Sequence, residues 1–141
     1  MSSAVFYKIL IVVFAYLFGA FPTGYIIYNI KTSGGDIRTQ GSGNVGGTNV
    51  TRTIGVPMGI VTILVDIIKG FLPLLAVYLI YPNDILLISI VAVAAVLGHD
   101  YPVYLKFRGG KGISTSYGVI IGLCSLPFTL EHLWWQRLLP V

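Results

Sequence analysis

Charge is scarce in this chain: 10% of its 141 residues are Asp, Glu, Lys or Arg, and only five are acidic. With 55% hydrophobic residues and a mean hydropathy of +0.85, too little polar surface remains to cover a soluble globule, so lipid must be the solvent for most of it. The single cysteine, Cys124, excludes an intramolecular disulfide, and its apolar neighbours suggest a packing role. No Cys/His cluster and no paired carboxylates at metal-ligand spacing occur, so no metal site is expected. Internal repeats are also missing. The nine basic residues give a net charge of +4, but they are spread among apolar runs rather than gathered on one polar face. This argues against nucleic acid and for anionic small molecules or lipid headgroups as partners.

What is present is a series of long apolar runs. The first extends from about Val5 to Ile30, and Gly19, Pro22 and Gly24 should bend or break it where neighbouring helices can satisfy the freed carbonyls. Lys8 near the start of this run and the small pair Gly19-Ala20 resemble a signal peptide, yet the run is long enough to span and is expected to remain. A second span is expected from Gly55 to Ile80, closed by the turn Tyr81-Pro82-Asn83-Asp84. A third starts at Ile85, reaching Leu97 or slightly beyond, and a fourth covers Ile113 to about Pro127. The expectation is an all-α, polytopic transmembrane bundle of about four spans. Between the spans lie two polar, glycine-rich loops, from Lys31 to about Thr53 and from Gly98 to Gly112. They should fall on one side of the membrane. Because Lys31, Arg38, Arg52, Lys106, Arg108 and Lys111 all sit in them, that side should be cytoplasmic and the N-terminus outside. The tail, with Glu131, His132 and Arg137 beside Trp134-Trp135, has the composition of a membrane interface.

The first loop reads Gly41-Ser42-Gly43-Asn44-Val45-Gly46-Gly47-Thr48-Asn49. Gly41, Gly43 and Gly46 formally satisfy the dinucleotide fingerprint, but the strand and βαβ unit that motif requires are missing. The physics beneath it survives: glycines let backbone N–H groups approach an anion, hydroxyls and amides add neutral donors, and Arg52 can grip a phosphate bidentately. A plain flexible connector is the alternative. The second loop ends in Gly109-Gly110-Lys111-Gly112 and runs into Ile113-Ser114-Thr115. It is not a Walker A loop, since Leu105 and Gly112 stand at its signature positions. A Gly-Gly-Lys-Gly turn entering a helix nonetheless gathers free N–H groups, a helix dipole and an ammonium around one point. His99 beside Asp100 reads either as a structural histidine or as part of the site, with no matching nucleophile in sight. Within the second span, Asp66 and Lys69 share a helical face, as an ion pair locking helices or as part of a pocket.

Together these residues resemble a known family. Gly19-Ala20-Phe21-Pro22-Thr23-Gly24, the loop from Gly41 through Asn49 to Arg52, Asp66-Ile67-Ile68-Lys69-Gly70, Gly98-His99-Asp100-Tyr101-Pro102 and Gly109 to Gly112 occur in the order found in the acyl-phosphate-dependent glycerol-3-phosphate acyltransferases of bacteria. The resemblance covers about Ala15 to Gly122. It implies transfer of a fatty acyl group from acyl phosphate to glycerol 3-phosphate, giving lysophosphatidic acid and phosphate, in the bacterial cytoplasmic (inner) membrane without a metal or other cofactor. It places catalytic roles at Ser42, Arg52 and Lys111, and substrate-binding roles at Gly41, Gly43, Asn44, Asn49, His99, Gly109, Gly110, Gly112 and Thr115.

Ala20 and Gly47 depart mildly from the family's usual serine and alanine. Family members have about seven spans and a third motif near the C-terminus, a histidine and asparagine followed by basic residues, which finds no match here. The resemblance therefore implies a C-terminally truncated member, with residues 1–126 forming the N-terminal part of the acyltransferase domain and 127–141 a divergent interfacial tail. On that reading these 141 residues alone are not expected to catalyse acyl transfer. The competing class is a small anion-binding membrane transporter or subunit, for which Asp66 and Lys69 would serve as polar groups in the path.

Overall fold

The computed structural model describes residues 3–138, with side chains described through residue 126. Among the described residues six α-helices make up the fold: α1 (Ser3–Gly19), α2 (Thr23–Lys31), α3 (Gly47–Ile54), α4 (Val56–Ile80), α5 (Ile85–Asp100) and α6 (Ile113–Leu138). Three helical stretches are long and apolar enough to cross a membrane, Ser3–Lys31, Val56–Ile80 and Ile85–Leu105, and Ile113–Leu126 is a shorter apolar stretch. α4 is the hub, packing against each of the other helices.

The first span breaks where its sequence requires. α1 stops at Gly19, Pro22 cannot donate to the preceding turn, and α2 restarts at Thr23. The carbonyl of Phe21, freed at this break, accepts a 2.8 Å hydrogen bond from Lys69 Nζ. The Thr23 N–H donates to the same carbonyl at 3.0 Å, so a side chain of α4 and the first residue of α2 share it. At the opposite end of the bundle, Asp84 Oδ1 caps α5 by accepting from the Leu87 N–H at 3.0 Å, while its Oδ2 pairs with Lys8 Nζ at 2.6 Å. The hydrogen bond from Lys8 holds the Asp84 carboxyl below the usual carboxylate range.

Small residues set the helix crossings, as expected where no hydrophobic force draws helices together in lipid. A Cβ on Gly98 would overlap the Tyr16 carbonyl of α1, and one on Gly19 the Ala95 carbonyl of α5. Gly118 of α6 and Gly70 of α4 make the same close approach at the second crossing, against the Ile67 and Thr115 carbonyls. Behind these crossings lies a core of Ala15, Leu74, Val77, Leu87, Ile88 and Val91 with their neighbours. Large apolar side chains such as Phe14, Leu64, Val93 and Ile120 stay exposed on the outer faces, where lipid would cover them.

Three boundaries differ from those read in the sequence. Gly98, His99 and Asp100 form the last turn of α5 rather than the start of the second loop. The end of the first loop is helical, as α3. α6 runs past Pro127 to Leu138 without the expected stop. The side chains of the expected interfacial tail, 127–141, lie outside the described residues. Cys124 is exposed on α6 rather than packed.

Candidate active site

The first loop is shaped from within. Asp36 accepts from the Arg38 N–H at 2.9 Å and caps a 3-10 turn, Ile37–Thr39. Gly41 and Gly43 then take left-handed φ values of 56° and 70°, which glycine adopts without penalty. Asn49, buried on α3, holds the result together: its Nδ2 donates to the carbonyls of Gln40 (3.0 Å) and Asn44 (2.9 Å), and its Oδ1 accepts from the Ser42 N–H (2.9 Å). Asn44 Oδ1 accepts from the Gly46 N–H at 2.8 Å, turning the chain into α3. The first N–H groups of α3 have no intrahelical acceptor, and Arg52 follows one turn after Thr48 on the same helix.

The side-chain hydrogen bond from Arg38 keeps the Asp36 carboxyl below its ordinary value of 3.8. A lowered folded-state pKa stabilises the protein above the unfolded value and is lost as pH falls through the folded one. Comparing thermal midpoints of the chain and its Asp36→Asn variant should therefore show a constant difference at neutral pH. That difference should shrink as pH falls below 3.8. A gap that persists undiminished at the acid end would contradict this.

The second loop folds back on the end of α5. After the 3-10 turn Val103–Leu105, Lys106 and Phe107 both take left-handed φ values, 55° and 61°. The Phe107 N–H bonds the Pro102 carbonyl at 2.9 Å, Gly109 N–H the Asp100 carbonyl at 3.2 Å and Gly110 N–H the His99 carbonyl at 3.0 Å. The free N–H groups expected at Gly109 and Gly110 are thus used inside the loop. Their role is steric: a Cβ on Gly110 would lie 2.7 Å from the His99 Cδ2. Gly112, at φ 66°, ends the turn over Asp100, and α6 begins at Ile113.

The loops meet at a pocket of about 230 Å³ that brings together Ser42, Asn44, Asn49, Arg52, His99 and Lys111. Gly46, Gly47, Thr48, Asp66, Ile113 and Ser114 complete its wall. Gly41, Gly43, Gly109, Gly110 and Gly112 shape the loops without lining it, and Thr115 is wholly buried at the α4–α6 crossing. Arg52 and Lys111 are exposed and carry no ion pair among the described residues. The N-termini of α3 and α6 both contribute residues to the wall, so two positive helix ends and two free cations face one small space.

Asp66 is the wall residue whose part sequence left open. It does both things weighed there, lining the pocket and pairing with Lys69 at 2.8 Å, with both side chains buried. The pair is neutral as a unit, so the pocket keeps the charge of Arg52 and Lys111. His99 Nδ1 stands 3.9 Å from Asp66 Oδ1, too far for a hydrogen bond. Ser114 was signalled only by its place in the first turn after Gly112. Because Asp66 and Lys69 close on each other, they offer less to the transporter alternative than their sequence positions suggested.

A model of the glycerol-3-phosphate acyltransferase family matches residues 9–139. The glycerol-3-phosphate acyltransferase of Geobacter metallireducens is 48% identical over 119 residues, covering 84% of this chain and 60% of that protein. Its counterpart in Aquifex aeolicus is 40% identical over 125 residues, or 89% and 64% of the two chains. Among solved structures, PlsY, an integral membrane glycerol 3-phosphate acyltransferase, matches in its glycerol 3-phosphate form with a TM-score of 0.78 and 38% identity, over 93% of this chain and 64% of that one. Its lysophosphatidic acid form gives a TM-score of 0.76. The chain spans about 60% of the length of the curated relatives it matches. On the family match and these identities, the chain belongs to the glycerol-3-phosphate acyltransferase family.

Proposed function

We propose that this chain carries the acyl-transfer pocket of an enzyme that moves a fatty acyl group from acyl phosphate to the first-position hydroxyl of glycerol 3-phosphate. The observation that carries the reading is the convergence of Ser42, Arg52 and Lys111 on one pocket at two helix N-termini. In the reaction the hydroxyl oxygen bonds to the acyl carbon, the bond from that carbon to the phosphate oxygen breaks, and the hydroxyl proton ends on the released hydrogen phosphate. Acyl phosphate is already activated, so positioning and charge stabilisation can supply the rate without a covalent acyl-enzyme. Arg52 suits bidentate grip of a phosphate, Lys111 supplies a point charge, and the Ser42 hydroxyl adds a neutral donor.

An apolar groove of about 440 Å³, lined by Phe14, Leu17, Phe18, Phe21, Val65 and Ile68, reaches Lys69 from the lipid-facing side. It suits the fatty chain of such a donor, with the Asp66–Lys69 pair between groove and phosphate pocket. The test is product stoichiometry in a chimaera carrying the remaining C-terminal part of a relative. Acyl phosphate and glycerol 3-phosphate should yield lysophosphatidic acid and phosphate in equal amounts, and acyl-CoA should yield none. Turnover with acyl-CoA, or none with acyl phosphate, would overturn the donor assignment.

The same reading puts the protein in the bacterial inner membrane with both loops facing the cytoplasm, because the basic residues concentrate at the pocket end. With Cys124 replaced, a cysteine at Gln40 or Tyr104, both exposed, should react with a membrane-impermeant thiol reagent only in inverted vesicles. Labelling from outside intact cells would refute this orientation.

A further inference from the structure

Arg52 and Lys111 reach the pocket from different loops, so their separation depends on whatever joins those loops. Arg38 does so. Its Nε contacts both Asp36 carboxylate oxygens (3.0 and 3.1 Å) and its Nη2 donates to Oδ2 at 2.7 Å. The remaining arm, Nη1, crosses to the Leu105 carbonyl in the second loop at 3.3 Å. The guanidinium lies 5.4 Å from the centre of the Tyr25 ring, which adds a cation–π contact.

The Leu105 side chain makes the same crossing. It is buried in a cluster with Tyr28, Ile37, Val45 and Val50, all from α2, the first loop and α3. Immediately after Leu105 come the two left-handed residues, Lys106 and Phe107, that turn the chain back toward Lys111. Non-glycine residues rarely hold that conformation, and a pair of them persists only where surrounding contacts fix it. Here those contacts are Leu105 in the apolar cluster and the loop's own backbone hydrogen bonds onto the end of α5.

We propose that Arg38 and Leu105 form a clasp that sets the spacing of the two phosphate-gripping loops, making both of them positioning residues for acyl transfer although neither lines the pocket. The inference rests on the phosphate-pocket reading for its functional consequence, not for its geometry. Because small misplacements of binding groups are costly, loosening the clasp should weaken phosphate binding without removing any group that touches phosphate. Lysine cannot substitute for Arg38: it keeps the charge but lacks the planar fork that serves Asp36 and Leu105 at once.

Two measurements on the 141-residue chain in nanodiscs test this. In the first, spin labels at Gln40→Cys and Arg108→Cys, in a Cys124→Ser background, report the distance between the loops. One narrow distribution is expected with Arg38, and a broadened or displaced one with Arg38→Ala and with Arg38→Lys. In the second, inorganic phosphate is titrated as the probe. Arg38→Ala and Arg38→Lys should both bind about three- to tenfold more weakly, whereas Lys31→Ala, the same charge loss as Arg38→Ala but at an exposed position, should change little. An unchanged distance distribution in Arg38→Ala would overturn the clasp, as would Arg38→Lys matching the parent in both measurements. If the parent chain takes up no phosphate, the pocket reading fails on its own, and the distance measurement still decides the clasp.

Discussion

Replacing Lys111 with methionine should cut kcat/KM roughly ten- to a hundredfold, the equivalent of losing one charge-assisted contact worth about 1.5 to 3 kcal/mol. Lys111 stands at the entry to α6, on the pocket wall, with no ion pair among the described residues to absorb its charge. Methionine keeps the length and flexibility of the stem, so the change is close to a removal of charge alone. The measurement belongs in the chimaera with a relative's C-terminal part, alongside Lys106→Met. Lys106 is an exposed cation of the same loop that does not line the pocket, and its replacement should alter kcat/KM by less than about threefold, as for a screened surface charge. Equal losses for the two variants would mean that general positive charge, and not a contact at Lys111, serves the substrate.

A single methyl group at the second helix crossing should do comparable damage by a different route. In Gly118→Ala the new Cβ would lie 2.8 Å from the Ile67 carbonyl carbon and 3.0 Å from the Phe71 nitrogen, and would overlap the Ile67 oxygen. All three atoms are helix backbone and cannot rotate away, so α6 must move off α4. Overpacking of this kind costs about 1–3 kcal/mol. It should also carry Lys111 and Ser114 away from Asp66, because they enter the pocket from the start of the same helix. Gly122→Ala one turn later meets the Leu74 side chain, with Cδ1 at 2.8 Å, and a side chain can give way. Unfolding in detergent should therefore show a clear loss of stability for Gly118→Ala and a smaller one for Gly122→Ala. The reverse order would contradict the crossing geometry.

The spans were legible because lipid imposes long apolar runs, and the break near Pro22 because proline removes a donor. That the two loops lie at one end of the bundle was legible from the order of the spans between them. The helix α3 was not. Gly47-Thr48-Asn49-Val50-Thr51-Arg52-Thr53-Ile54 is poor in strong helix formers, and the segment is helical because it packs on α4, where Gly59 leaves room for Thr51. The inclusion of His99 in α5 was equally hidden, since the glycine before it reads as a loop residue although Gly98 in fact admits α1. Glycine content suggested two anion-binding turns, yet it could not tell a glycine that frees an N–H from one, like Gly110, that makes room for an imidazole. Nor could the spacing of Asp66 and Lys69 show that their pair would close on itself and still form a pocket wall. Those distinctions depend on which elements meet, which a single sequence does not state.

The claim that this pocket binds a substrate's phosphate group is tested most directly by equilibrium binding of radiolabelled glycerol 3-phosphate to the chimaera in nanodiscs. Saturable binding is expected in the parent. It should be competed by inorganic phosphate and abolished within the measurable range in the double variant Arg52→Met/Lys111→Met, while the Lys31→Ala protein binds as the parent does. Undiminished binding by the double variant would show that the phosphate sits elsewhere and that the pocket between α3 and α6 is not the site.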